Sequence, residues 1–175
     1  LLWARAVDGS LVTEQPVTAA TRGLPKPTIL GTNRDEGILF VYPLLEALNL
    51  LPLPAAAYEL LLTDFFGEEN VAPILAAYPA VGGDNAPLAS QLVSDYLFFC
   101  ASRSIALGGG GPVYTYFFRK VSTFNLWNLF PPFSPQCDGE VCHGHELPYV
   151  FNSANDIGQM FTSDEQILSQ TMADY

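Results

Sequence analysis

Two segments of this chain have the residue content of β-strands, and long tracts of helical character separate them. Residues 28–32 and 113–118 are short apolar runs rich in β-branched and aromatic side chains, which favour extended backbone. Between them, the apolar spacing predicts helices over residues 55–66, ended by Gly67, and over residues 88–107. Strands isolated between helical tracts are typical of an α/β fold, yet two strands do not complete a doubly wound sheet. The sequence therefore predicts an α/β fold of which these residues form a part.

Prolines and glycines set the limits of the other predicted elements. The run 28–32 is apolar and predicts a buried strand. The helix that begins at residue 37 is expected to end early, because Pro43 lacks a backbone donor and crowds the preceding turn. The remaining predictions are a helix over 71–78, a turn of four glycines at 108–111, a loop over 122–140, and a last helix over 164–174 capped by Thr162–Glu165.

The chain carries little charge, and most of that charge is negative. Hydrophobic residues make up 49% of the sequence and charged residues 14%, against about 25% charged in a typical soluble domain. Such a composition predicts that these residues are a piece of a larger protein or form one face of a tight oligomer. The net charge of −11, with 7 scattered lysines and arginines, argues against a nucleic-acid partner. No membrane span is predicted, because the apolar stretches are interrupted by Glu46, Pro52, Pro54 or Arg103.

Glu36 is the first candidate for chemistry, because it follows the predicted strand 28–32 and is itself followed at once by Gly37. In open α/β sheets, active sites gather at the carboxyl ends of strands. A carboxylate there can accept a hydrogen bond from an imidazole and fix its tautomer. The alternative is a structural carboxylate that caps the following helix, a role that Asp35 could also fill.

The two histidines of the chain, His143 and His145, form the second candidate. Imidazole titrates near neutrality, which suits His143 to general-base work, and Gly144 beside it allows close approach of substrate or backbone. The alternative is a metal site with His143, His145 and Glu146 as ligands. The general base is the favoured interpretation, since no further ligand cluster of the kind found in zinc motifs accompanies these residues.

Cysteines and aromatic residues surround the second candidate. Cys137 and Cys142 flank a loop short enough to close as a disulfide beside His143, and the alternative is two free thiols. A disulfide is typical of exported proteins, so the localisation leans that way. The third cysteine is Cys100. Four aromatic residues could either pack in the interior or line an acyl or alcohol pocket: Phe124, Trp127, Phe130 and Phe133.

Four segments in a fixed order carry a resemblance to a known family: Val7-Asp8-Gly9, Pro27 to Gly37 with Asn33-Arg34-Asp35-Glu36-Gly37 at its end, Asp95-Tyr96-Leu97-Phe98, and Cys142-His143-Gly144-His145-Glu146-Leu147-Pro148-Tyr149-Val150-Phe151. Over essentially its whole length, the chain resembles the C-terminal half of a type-B carboxylesterase, in the cholinesterase-like branch of the α/β-hydrolases. The resemblance implies that residues 1–175 form the C-terminal part of an α/β-hydrolase fold, with helices around the last strands of a mostly parallel sheet.

The resemblance also implies roles for single residues. Glu36 matches the acid and His143 the base of the family's Ser-Glu-His triad, in the chain order typical of α/β-hydrolases. These residues contain no G-x-S-x-G nucleophile motif and no H-G-G-G oxyanion-hole motif, which lie upstream in the family. The nucleophile is therefore expected from a missing N-terminal half, without which these residues are expected to be inactive. Cys100 matches a cysteine that some relatives pair beyond Tyr175, and His145 receives no role.

The function implied by the resemblance is the hydrolysis of carboxylic esters. The implied partners are a small-molecule ester and the N-terminal half of the same enzyme, which carries the serine and the oxyanion hole. No metal or organic cofactor is implied. The alternative is a non-catalytic cholinesterase-like domain used for adhesion or partner binding, since fold does not fix function. The presence of both Glu36 and His143 favours the enzyme.

Overall fold

The computed structural model describes residues 7–20, 22–108, 111–130 and 134–175. They form two compact units, the first from the segments up to Thr32 and Asp95–Phe117, the second from Asn33–Ser94 and Phe118–Tyr175. The α-helices are α1 (Pro16–Ala20), α2 (Ile38–Ala47), α3 (Ala55–Phe66), α4 (Glu68–Ala77), α5 (Ala86–Val93), α6 (Cys100–Leu107), α7 (Leu147–Val150) and α8 (Ser163–Ala173). The strands are β1 (Thr28–Asn33) and β2 (Val113–Phe118). Short 3₁₀ turns cover Leu126–Asn128, Pro135–Cys137 and Ala154–Ile157.

The two strands confirm the predicted runs and pair in parallel. The N–H of Thr28 donates to the carbonyl of Pro112 (3.1 Å) where the ladder begins, and the N–H of Arg34 donates to that of Phe118 (3.0 Å) where it ends. The prediction that this run is a buried strand is correct only at its carboxyl end, where Thr32 and Asn33 are buried, because Ile29 is 50% exposed. Side chains alternate between the two faces of a sheet, and Ile29 lies on the same face as Asn33, which is buried at the carboxyl end of the strand.

The second unit is helical and has a core of its own. In it, α2 packs on α5 and α3 packs on α4. Tyr58 and Leu62, one turn apart on α3, are buried as the apolar spacing predicts. Gly67 ends α3 with φ 82°, which confirms the predicted glycine cap. The core consists of Val41, Leu45, Leu53, Tyr58, Leu62, Ala86 and Leu92.

The prediction that Pro43 ends its helix early is wrong. Helix α2 continues through Pro43 to Ala47. A proline inside a helix costs about 3 kcal/mol, because it removes one hydrogen bond and crowds the preceding turn. Val41 and Leu45 lie on either side of Pro43 and are both buried in the core. We infer that burial of these side chains outweighs the local cost of the proline.

The tract predicted as one helix over residues 88–107 is helical throughout but not uniform. Between α5 and α6, residues Ser94–Phe99 form a π-helical segment. Its first residue, Ser94, uses one hydroxyl twice: the group donates to the carbonyl of Ser90 (2.9 Å) and accepts from the N–H of Gly37 (2.8 Å). A Cβ at Gly37 would lie 2.0 Å from that Ser90 carbonyl oxygen. Only glycine therefore allows α5 to approach the residue that follows Glu36.

The last helix is held by a buried carboxylate. Thr162 and Glu165 form a capping box at the start of α8, as predicted. Glu165 also accepts hydrogen bonds from the N–H of Thr123 (2.8 Å) and the hydroxyl of Tyr149 (3.0 Å). One carboxylate thus joins α8 to the segment after β2 and to α7.

Some predicted features include residues outside the described ranges. They are the glycine turn, through Gly109 and Gly110, and the aromatic residue Phe133. The predicted loop over 122–140 lies partly inside those ranges and contains two of the 3₁₀ turns. Within the described ranges, no helix has both the length and the apolar character needed to cross a bilayer.

Candidate active site

The turn after β1 presents Glu36 as a buried carboxylate. The backbone N–H of Asn33 donates to Glu36 Oε1 at 2.6 Å, which closes the turn around the acid. Glu36 is only 4% exposed. The helix-capping alternative is not what the structure contains: Gly37 is the N-cap of α2, and no side chain caps that helix. The carboxylate instead points its second oxygen at a histidine.

His143 is that histidine, and its Nδ1 lies 2.6 Å from Glu36 Oε2. The hydrogen bond and the charge of Glu36, together with the charge of Glu146, raise the pKa of His143 above its ordinary value, although burial opposes them. An Nδ1–H donated to the carboxylate leaves Nε2 as the basic nitrogen of the neutral ring. The side chain is 45% exposed, so the imidazole is open on one side. The arrangement can therefore accept and return a proton.

The backbone around His143 is fixed by Trp127. The indole Nε1–H donates to the carbonyl oxygen of His143 at 2.6 Å. Gly144 has φ 82°, and a Cβ there would lie 3.4 Å from the Trp127 ring. On the other side, the ring centroid of Phe40 lies 5.3 Å from that of the imidazole. Aromatic side chains from two segments thus hold the loop and the ring.

Arg34 and Asp35, the two residues before Glu36, bind the loop that precedes His143. Asp35 and Val141 exchange two hydrogen bonds, from the N–H of Asp35 to the carbonyl of Val141 (3.0 Å) and from the N–H of Val141 to Asp35 Oδ2 (2.8 Å). Arg34 pairs with Glu140 (2.6 Å). Sequence reasoning missed these contacts, because their partners lie 106 residues apart. The only signal was the opposite charge of Arg34 and Glu140.

A disulfide joins Cys137 and Cys142, so the pairing left open by the sequence is confirmed over the free thiols. Both cysteines are buried, and Cys142 directly precedes His143. Cys100 is free and exposed. The bond closes a small ring on the N-terminal side of the candidate base, which restricts the backbone there.

His145 has different partners and no place beside Glu36. Its buried ring places Nδ1 3.2 Å from the carbonyl oxygen of Glu140 and Nε2 3.3 Å from Asn125 Oδ1. Burial lowers the pKa of His145. In the part of the chain that the structure describes, no three His, Cys, Asp or Glu residues group as metal ligands. The geometry therefore gives the alternative of His143, His145 and Glu146 as a metal site no support.

The predicted aromatic cluster is divided between two roles. Trp127 contacts the His143 loop, whereas the Phe124 ring packs against Phe161, with their centroids 6.1 Å apart. Phe130 is partly exposed. Both Trp127 and Phe40 contact His143, and sequence reasoning did not identify Phe40.

A cavity of about 260 Å³ is lined in part by residues of the same turn and of α2. Its lining includes Arg34, Asp35, Tyr42 and Glu140, and neither Glu36 nor His143 contributes to it. This cavity is therefore not the space where a substrate would meet the imidazole.

Comparison with known protein families matches the carboxylesterase family over residues 1–175. The chain belongs to that family. Carboxylesterases have the α/β-hydrolase fold, and the parallel β1–β2 pair with its helices is consistent with a part of it.

Two proteins of Dictyostelium discoideum are similar to this family member. One, named Crystal protein, is 37% identical over 160 residues, which are 87% of this chain and 27% of that protein. The other, named cAMP-regulated D2 protein, is 32% identical over 183 residues, covering 99% of this chain and 32% of that protein. The chain thus spans less than a third of the length of these relatives.

Proposed function

We propose that the protein to which this chain belongs is a serine hydrolase of carboxylic esters, in which Glu36 is the acid and His143 the base of the triad. The observation that carries the proposal is the 2.6 Å contact between Glu36 Oε2 and His143 Nδ1. A buried carboxylate that orients a half-exposed imidazole is the arrangement that nucleophilic acyl transfer uses.

The proposed mechanism has two acyl-transfer steps. His143 Nε2 takes the proton of a serine hydroxyl as its oxygen attacks the ester carbonyl, and then gives that proton to the leaving alcohol. Water next attacks the acyl-enzyme, His143 accepts the water's proton, and the serine recovers it as the acid product leaves. Glu36 holds the imidazole in its productive tautomer and stabilises the imidazolium. Neither step requires a metal or an organic cofactor.

The remaining parts of the proposal concern partners and compartment. The serine and the oxyanion hole come from the N-terminal half of the same enzyme, and the substrate is a small-molecule ester. The buried Cys137–Cys142 disulfide supports an exported protein, because such bonds persist in oxidising compartments.

A non-catalytic role in adhesion or partner binding is the second candidate function. The observation in its favour is that the two relatives carry the names Crystal protein and cAMP-regulated D2 protein, neither of which specifies an ester hydrolase. A G-x-S-x-G motif in the sequence upstream would favour the enzyme, and its absence would favour the non-catalytic role.

The test is turnover of a p-nitrophenyl ester by the full-length protein, together with labelling of its serine by a fluorophosphonate. His143→Ala is expected to lower kcat at least about 10³-fold, because the serine loses its base. His145→Gln is the matched control, since its ring contacts the Glu140 carbonyl and Asn125 and has no place beside Glu36, and it is expected to keep the serine labelling. Unchanged turnover in His143→Ala would contradict the proposal. A full-length protein with neither turnover nor labelling would favour the non-catalytic role.

A further inference from the structure

Asn33 contacts both halves of the candidate site. It lies at the end of β1, three residues before Glu36, and is 2% exposed. Besides the backbone hydrogen bond to Glu36, its side-chain Nδ2 donates to the carbonyl oxygen of Cys142 (3.0 Å) and to the carboxylate of Glu146. Cys142 and Glu146 lie on either side of His143 in the chain. One residue therefore joins the acid to the segment that carries the base.

The unpaired oxygen of Asn33 argues for a role beyond packing. Its Oδ1 is buried and has no hydrogen-bonding partner among the described residues. Such an atom costs about 1–3 kcal/mol. Turning the amide over would not relieve this cost, because Oδ1 would then face the Cys142 carbonyl and the Glu146 carboxylate. An apolar side chain at position 33 would have no unpaired oxygen and would avoid this cost. What an asparagine adds at this position is therefore the two hydrogen bonds that its Nδ2 donates.

The contact of Asn33 with Glu146 affects the His143 imidazole, because the negative charge of Glu146 acts on that ring. The hydrogen bond with Glu36 and the charges of Glu36 and Glu146 all raise the pKa of His143. The side chains of Phe40 and Trp127, which also pack against this loop, are uncharged. A donor that holds the Glu146 side chain in place near His143 therefore favours the protonated imidazole.

We propose that Asn33 is a positioning residue: through Cys142 and Glu146 it holds the His143 loop against Glu36. Its consequence for catalysis rests on the proposed ester hydrolysis. The placement of His143 itself is a property of the fold, and it can be measured without turnover.

The experiment is an NMR titration of the His143 imidazole in the full-length protein, with the signal assigned by its loss in His143→Gln. Asn33→Ala is expected to weaken proton binding by about three- to tenfold, a shift of the pKa to lower values, because Glu146 loses its donor and the contact with Glu36 loosens. If the enzyme is active, kcat falls in this variant and KM stays within about twofold, since the proton transfer and not substrate binding is disturbed.

Asn85 offers a matched control. It is also fully buried, and its Nδ2 donates to the backbone carbonyls of Leu53 and Val81, both at 3.1 Å. Asn85→Ala is expected to lower the thermal stability and to leave the titration of His143 unchanged.

An unchanged His143 titration in Asn33→Ala, with a loss of thermal stability like that of Asn85→Ala, would overturn the proposal. Should Asn33→Ala not fold, Asn33→Ser keeps a small hydroxyl donor and is expected to shift the titration in the same direction by less; an unshifted titration would overturn the proposal equally. Absence of ester turnover in the unmodified protein counts against the proposed function alone, because the titration still decides the role of Asn33.

Discussion

Replacing Glu165 with glutamine keeps the shape of a buried side chain and removes its charge. Glu165 is 0% exposed. Its Oε1 accepts from the N–H of Thr123 (2.8 Å), and its Oε2 accepts from the N–H of Thr162 (2.9 Å). Three hydroxyls, those of Thr123, Tyr149 and Thr162, donate as well. The amide nitrogen of a glutamine must replace one of the two oxygens, so a partly buried backbone N–H loses its acceptor in either orientation.

Two estimates of the cost of this substitution agree. A buried donor without a partner costs about 1–3 kcal/mol, and the other hydrogen bonds weaken when the acceptor loses its charge. Burial alone would raise the pKa of Glu165, but the N–H groups of Thr162 and Thr123 and the Tyr149 hydroxyl lower it from 4.5 to about 2. At about 1.4 kcal/mol per pKa unit, that shift corresponds to about 3 kcal/mol at pH 7. Glu165→Gln is therefore expected to lower the free energy of unfolding by about 3 kcal/mol.

Equilibrium unfolding in urea, followed by tryptophan fluorescence, measures this difference. Because the folded-state pKa lies below the unfolded one, the stabilisation is complete above about pH 4.5 and is lost as the pH falls toward 2, so the two proteins should converge in that range. Asp164→Asn is the matched control, since it removes an exposed charge from the same helical turn and is expected to change stability by less than about 0.5 kcal/mol. A difference below about 1 kcal/mol at pH 7, or one that persists toward pH 2, would refute the reasoning.

Three further outcomes concern the candidate site. Glu36→Gln removes the contact that most raises the pKa of His143, so the acid limb of the pH profile of kcat/KM is expected to move to lower pH. The rate itself is expected to fall about 10⁴-fold. An acid limb at the same pH as in the unmodified protein would contradict this. Gly37→Ala places its Cβ 2.0 Å from a backbone oxygen of α5 and is expected to lower the free energy of unfolding in urea by at least about 1–3 kcal/mol. Gly82→Ala has open space around its Cβ and should be near neutral. Equal effects of the two substitutions would argue against the close packing at Gly37. Cys137→Ser opens the disulfide ring and is expected to cost about 2 kcal/mol, measured by thermal unfolding, and the same Tm with and without the bond would exclude that contribution.

Local signals in the sequence predicted the parts of the fold that depend on a few neighbouring residues. Gly67 ends α3 and Thr162 begins α8 as predicted, because a glycine cap with positive φ and a capping box need only adjacent groups. Pro43 was misjudged for the complementary reason: what keeps α2 helical is the burial of Val41 and Leu45 in the core, and residues distant in the chain complete that core. A rule that treats proline at a single position cannot include the free energy gained by this long-range burial.

The same distinction between local signals and long-range contacts applies to the candidate site. Family motifs pointed to Glu36 and His143, which the structure brings within 2.6 Å. The part played by Asn33 was not predictable, because its amide contacts residues 109 and 113 positions further along the chain. A single polar residue at the end of a strand resembles any other turn residue until its partners are known.

The parallel pairing of β1 with β2 and the contact of Glu36 with His143 have a consequence for the order of events during synthesis. The acid is made 107 residues before its histidine. At about 5–20 residues per second, the ribosome needs roughly 5 to 20 seconds to bridge that gap. During this interval α2, α3, α4 and α5 can already pack, whereas β1 gains its neighbouring strand only after residues 113–118 are made, and Glu36 has no imidazole until its end. The site is therefore assembled late, on a helical core that can form first.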